Sequence, residues 1–244
     1  MDRTVPARAK LADFLRRRKA AARLTYEEMA GLARGMPSKA TFERAASGTS
    51  VPSWKTVDSF ITLTTTGEEG YFEGICAALD HGRQLWLGAR RATRAPFYVH
   101  KAPDPNLIAS AADLSRALRH QHVWAGYPTP GEMRQACRQP WLLPYSTTRR
   151  IISGDILPVD PDQAIAFLMA CYVIQPLDVE PWLAAAVRVL TPGGGTPGKK
   201  TIDPWVKAHQ VLLAYLQSSA EDDPPPGQST TVINRRKKER EKAA

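Results

Sequence analysis

The chain lacks most of what announces an enzyme, a metalloprotein or a membrane protein. No run approaches the roughly 18 apolar residues a spanning helix needs, and no signal-peptide pattern is present. Neither spanning nor export is therefore expected, and a cytoplasmic, nucleoid-associated location is. Cysteines number only three, Cys76, Cys137 and Cys171, and none forms a CxxC pair. Each sits in apolar, helix-like sequence, which points to buried core thiols in a reducing compartment rather than to a disulfide framework or metal site. The phosphate loop GxxxxGK[ST], the GxSxG elbow and the HExxH zinc motif are all missing. His120 and His122 stand two apart, which on a helix splays their rings by roughly 200°, and no acidic or cysteine ligands accompany them. They are expected as surface or interface histidines, and Asp80, Asp104 and Asp155 as caps and loop residues. No catalytic activity, cofactor or metal is expected.

What the chain does have is positive charge. Thirty-three Lys and Arg against 24 Asp and Glu give a net charge of +9 over 244 residues. The basic residues cluster at Arg16-Arg17-Arg18-Lys19, Arg90-Arg91 and Arg235-Arg236-Lys237-Lys238. Such a balance favours a polyanionic partner, nucleic acid before membrane. With 43% hydrophobic residues the chain can bury real cores, except at 218–244, where polar, Pro-rich and charged sequence predicts a disordered basic tail.

Apolar residues recur at helical spacing nearly everywhere, with no period-2 run bounded by turns, so an all-α fold is expected. A first helix in "AKLADFLRRRKAAARL" places Leu11, Phe14, Leu15 and Ala22 on one face. Thr25-Tyr26-Glu27-Glu28 is a capping box opening a second helix over about 26–34, which buries Met29, Leu32 and Ala33. Ser38 is a good N-cap for a third, which buries Phe42, Ala45 and Ala46 and stops at Gly48. Ser53 caps a fourth, which buries Val57, Phe60 and Ile61.

The pattern then returns. "SKATFERAASGTSVP" (38–52) and "PYSTTRRIISGDILP" (144–158) match in length and set Thr41 against Thr147 and Ser47-Gly48 against Ser153-Gly154. A second capping box, Thr129-Pro130-Gly131-Glu132, precedes the second copy as Thr25 to Glu28 precedes the first, and Asp160-Pro161 opens its fourth helix. The expected organisation is a first bundle at 8–66, a connecting helix and linker at 67–107, a second, divergent bundle at 108–190, a Gly/Pro linker at 191–203, and a C-terminal helix at 204–217 ahead of the tail.

The run "SKATFERAASGTSVPSWKTVDSF", preceded by the capped helix at Thr25, resembles the helix-turn-helix of the phage-repressor-like (XRE) DNA-binding family, in its actinobacterial form. The resemblance covers about residues 8–64 well and 108–175 less well. It implies two tandem helix-turn-helix bundles of four to five helices each, in which the third helix of each enters the major groove. In that family the first, second and sixth residues of the reading helix contact bases, which here are Lys39, Ala40 and Arg44, with Ser38 and Thr41 beside them. The matching positions of the second copy are Tyr145, Ser146 and Arg150, with Thr147 and Arg149 alongside. Thr25 and Tyr26, at the start of the second helix, would hold a phosphate. Two departures stand out in the second copy: Arg134 replaces the small Ala30, and the turn "RQPWLLP" is about two residues longer.

The function expected is sequence-specific binding of double-stranded DNA, in a bacterial transcription regulator with two unequal readers. Replication, partition or end maintenance of a replicon is the alternative role. The alternative from another class is an interaction protein, in which the second bundle or the 204–217 helix docks a homodimer partner or another protein.

Overall fold

The computed structural model describes residues 3–67, 72–96, 101–190 and 203–221, and all regular structure in them is helical. Eleven α-helices follow in order: α1 (Pro6–Ala21), α2 (Tyr26–Leu32), α3 (Lys39–Ser47), α4 (Trp54–Leu63), α5 (Phe72–Arg94), α6 (Ala111–Trp124), α7 (Pro130–Ala136), α8 (Tyr145–Ser153), α9 (Pro161–Ala170), α10 (Pro176–Leu190) and α11 (Pro204–Glu221).

Local chemistry sets their limits. α1 starts with Pro6 in its first turn, where a missing N–H costs nothing. α2 and α7 each open on a complete capping box: Thr25 Oγ1 accepts from Glu28 N while a Glu28 oxygen accepts from Thr25 N, and Thr129 and Glu132 repeat the exchange. α3 and α8 both stop at a glycine in the left-handed region, Gly48 at φ 77° and Gly154 at φ 87°.

Two cores form. In the first, Leu11, Leu15, Met29, Phe42, Val57, Phe60 and Ile61 are almost wholly buried, and Phe42 meets Phe60 edge to face with centroids 5.6 Å apart. Each such large side chain contributes about 1.5–3 kcal/mol by leaving water. α5, expected to be a connector, belongs to this core: it lies along α1 and α4, buries Trp86 and Ala89, and Trp86 Nε1 donates to Pro52 O at 2.8 Å. Gly82 permits that approach, since a Cβ there would stand 2.3 Å from Ile61 Cδ1. The second core gathers Leu114, Leu118, Met133, Leu143, Ile151, Phe167, Leu168 and Cys171, closed by Val179, Trp182 and Leu183 of α10. α11 lies on α10, buries Trp205, and is pinned where His209 Nε2 meets Glu180 Oε1 at 2.7 Å.

A pair of polar clasps recurs at matching places. Arg18 of α1 is buried and donates from Nε to Thr64 Oγ1 at the end of α4, and Gln121 of α6 donates to Cys171 O at the end of α9. The next residue in each helix reaches the carbonyl just before the capping threonine: Lys19 Nζ to Leu24 O at 3.1 Å, and His122 Nε2–H to Pro128 O at 2.8 Å. These bonds fix the first helix of each set to both the second and the fourth, and they satisfy side chains that burial would otherwise penalise.

The two sets are tied through the C-terminal half of α5. Arg90, only 6% exposed, makes a fork on Glu132 at 2.9 Å to each oxygen and also donates to Gly126 O and Tyr127 O. Arg94 adds an ion pair to Glu132 at 3.5 Å. Arg91 lies 3.9 Å from the centroid of the Trp124 ring. Tyr172 packs against both cores, with Trp86 on its edge and Arg83 over its face.

Several expectations are corrected. Arg90 and Arg91 are buried in this joint and are not a free basic cluster; Arg18 is likewise buried in its clasp. His122 is buried rather than at the surface, because Pro128 O satisfies its ring, and desolvation lowers its pKa so that it stays neutral near pH 7. Leu32 is 60% exposed, since α2 ends there and turns its last residue outward. Ala22 lies just past the end of α1 and is half-buried. Of the cysteines, Cys171 alone is buried, with Cys76 and Cys137 half-buried. The C-terminal helix runs to Glu221, four residues into the expected tail, and the Ser218 and Ser219 hydroxyls in its last turn donate to Tyr215 O rather than to solvent. The remaining tail and most of the Gly/Pro linker lie outside the described residues.

Candidate nucleic-acid interface

The candidate residues fall on two helix pairs, α2–α3 and α7–α8. Phe42, Ala45 and Ala46 face the first core from α3, which leaves Lys39, Ala40, Glu43 and Arg44 exposed on its outer side. Ser38 occupies the N-cap position but makes no side-chain cap bond; its Oγ pairs instead with Thr41 Oγ1 at 3.0 Å, correcting the expected capping role. Thr25 is exposed and held by Glu28. Tyr26 is half-buried, edge-on to Phe60 with Lys19 above its ring, and burial raises its pKa.

On the second pair, Thr148 and Ile151 face the core and Tyr145, Ser146, Arg149 and Arg150 face outward, with Thr147 half-buried. Thr148 stands where the first copy has Phe42. The volume is restored by the lengthened turn, which forms a 3₁₀ turn at Pro140–Leu142 and buries Leu143 completely. Gln163 holds that turn by donating to Leu142 O at 3.0 Å. The larger Arg134 in place of Ala30 causes no crowding, because it points to solvent.

Electrostatically the two faces differ. Lys39 Nζ is paired with Glu27 Oε2 at 2.8 Å, which raises the lysine's pKa, and Glu43 acts in the same direction. On the second face Glu132 is already committed to Arg90, while Arg134, Arg149 and Arg150 are exposed and have no ion-pair partner among the described residues. Arg44 is also exposed and unpaired among them. The copy that diverges more in sequence thus presents the more positive surface. The one acidic residue on α7 or α8, Glu132, is neutralised by Arg90 of α5, 42 positions earlier in the chain.

These positions share no cavity that would suit a metal or small substrate, and no group of three or more His, Cys, Asp or Glu among the described residues could hold a metal ion. No described helix is long and apolar enough to cross a membrane. No protein-family model, curated protein or solved structure matches the chain.

Proposed function

We propose that the chain binds double-stranded DNA sequence-specifically, as a bacterial transcription regulator of the phage-repressor-like helix-turn-helix type, through α3 and α8. The observation that carries the reading is the twofold occurrence of one arrangement. A capped short helix precedes a nine-residue helix ending at a left-handed glycine, and the sixth residue of that helix, Arg44 or Arg150, stands exposed and unpaired among the described residues. A helix with that outer face fits a major groove about 12 Å wide, where an arginine can fork onto guanine O6 and N7. Lys39 and Ala40 flank it on the first reader, Tyr145, Ser146 and Arg149 on the second. The letters differ, so the target carries two unequal elements.

Selection of duplexes from a random pool at stated salt tests this directly. An asymmetric or doubly composite site is expected, and Arg44→Ala and Arg150→Ala should each weaken it by about 1–3 kcal/mol while relaxing preference at different positions. Recovery of one simple palindromic element, or loss of affinity uniform across sequences, would contradict two-reader binding.

A further inference from the structure

Between the two helix sets lies a cleft of about 410 Å³, walled by Arg8 from α1, Ser50 and Ser53 from the loop after α3, Arg90 and Arg94 from α5, and Glu132 from α7. Sites at such junctions are a common place for ligands. The charge there is uneven. Both Glu132 oxygens are occupied by the Arg90 fork, and one of them also accepts from Thr129 N. Arg90 and Arg94 against Glu132 leave one positive charge from α5, and Arg8 brings a further guanidinium across the cleft, anchored by donation from Nη1 to Thr49 O at 3.0 Å. Ser53, which lines the cleft, is the N-cap of the ten-residue α4, so the positive end of that helix opens beside it. Ser50 is exposed and offers a hydroxyl.

We infer that this cleft is an anion site for a single phosphate ester, with a backbone phosphate of the bound duplex as its source. Arginine guanidiniums bind phosphate oxygens through charge-assisted bonds, Arg94 offers the donors it does not spend on Glu132 and Tyr127 O, and one negative charge balances the surplus on α5. The choice of source rests on the DNA-binding reading. The loop from Thr49 to Ser53 leaves directly from the end of α3, and Glu132 is the third residue of α7, so each reading pair supplies one wall.

The experiment has two arms on the full chain. In the first, arginine Nε–Hε NMR signals are followed while inorganic phosphate replaces chloride at equal ionic strength. In the second, the log–log salt dependence of affinity is measured on the selected duplex. Saturating shifts at Arg94 and Arg90 are expected, abolished in Ser50→Glu, which places a carboxylate in the cleft without touching the α5 joint. On DNA, Ser50→Glu and Arg94→Gln should each flatten the slope by about 0.9, as for one lost phosphate contact, with unchanged site preference; Arg94→Lys should restore it. A signal in either arm that Ser50→Glu removes upholds the site, and silence in both overturns it. Phosphate shifts with an unaltered slope would overturn the duplex as source and assign the cleft to a free phosphate ester. If no duplex is selected, the DNA reading falls and the phosphate arm alone decides the cleft.

Discussion

Replacing Glu132 with Gln tests the joint between the two helix sets. Glu132 does two jobs: it closes the capping box of α7, and it takes the fork of Arg90, whose side chain is 7% exposed. Gln keeps the shape and one acceptor, but it removes the charge and leaves a buried guanidinium with only neutral acceptors, Gly126 O and Tyr127 O among them. Removing one partner of a fully buried pair costs about 3–5 kcal/mol, and losing an exposed pair costs 0–1. Glu132 is 41% exposed, so solvent screens part of its share and a loss of about 2 kcal/mol is expected. For a chain of this size that is a fall of about 4–8 °C in Tm.

The pH dependence gives the sharper check. Partial burial pushes the Glu132 carboxyl up, but the Arg90 and Arg94 guanidiniums and the Thr129 amide outweigh it and hold the pKa down to about 2. The unfolded value is about 4.3, so the stabilisation is complete above that value and is lost as pH falls through the folded one. Urea unfolding of both proteins should therefore show a constant gap from about pH 5 to 7 that closes as pH approaches about 2. Equal midpoints at pH 7, or a gap indifferent to acid, would refute the account of the joint.

Other outcomes follow from the same geometry. Gly126 and Gly35 both hold positive φ, 77° and 79°, but a Cβ at Gly126 would stand 2.9 Å from Arg90 Cβ, whereas at Gly35 it meets nothing within 4 Å. Gly35→Ala should cost about 1–2 kcal/mol for the backbone alone, and Gly126→Ala measurably more in the same urea titration. Cys171 is buried, which pushes its thiol well up and shields it. An aromatic disulfide reagent should therefore label Cys76 and Cys137 in the native protein, and Cys171 only at the rate of unfolding.

The sequence made the helices and their ends legible because they depend on neighbours: two Thr-to-Glu boxes, two glycine stops and the apolar stripes of α3 and α4 are all read within a few positions. Phe42, Ala45 and Ala46 were placed correctly for that reason. The misreadings of Arg18, Arg90 and Arg91 have one cause, which is partners far along the chain, whereas those of Leu32 and Ser38 are local, at the end of α2 and in the bond from Ser38 to Thr41. Arg90 and Arg91 look like a basic patch until Glu132 and Trp124 are brought to them, and Arg18 until Thr64 is. Likewise α5 reads as a connector until Gly82 lets it settle on Ile61. For the candidate interface, outward direction was legible from helical spacing. Charge balance was not, since it turns on which acids are already occupied.

Under the proposed reading, the joint at Arg90 would also act as a ruler. A flexible tether would let the second reader search for its element over a range of separations, but Arg90, Arg94, Arg91 and Tyr172 bind the two helix sets from several sides and leave little slack. On duplex DNA each added base pair turns the next element by about 35° around the axis, at about 10.5 base pairs per turn. Under the proposed reading, inserting a single base pair between the two elements should separate them in phase as well as in distance. Only loosening the joint, as Glu132→Gln does, would let the chain tolerate the altered spacing.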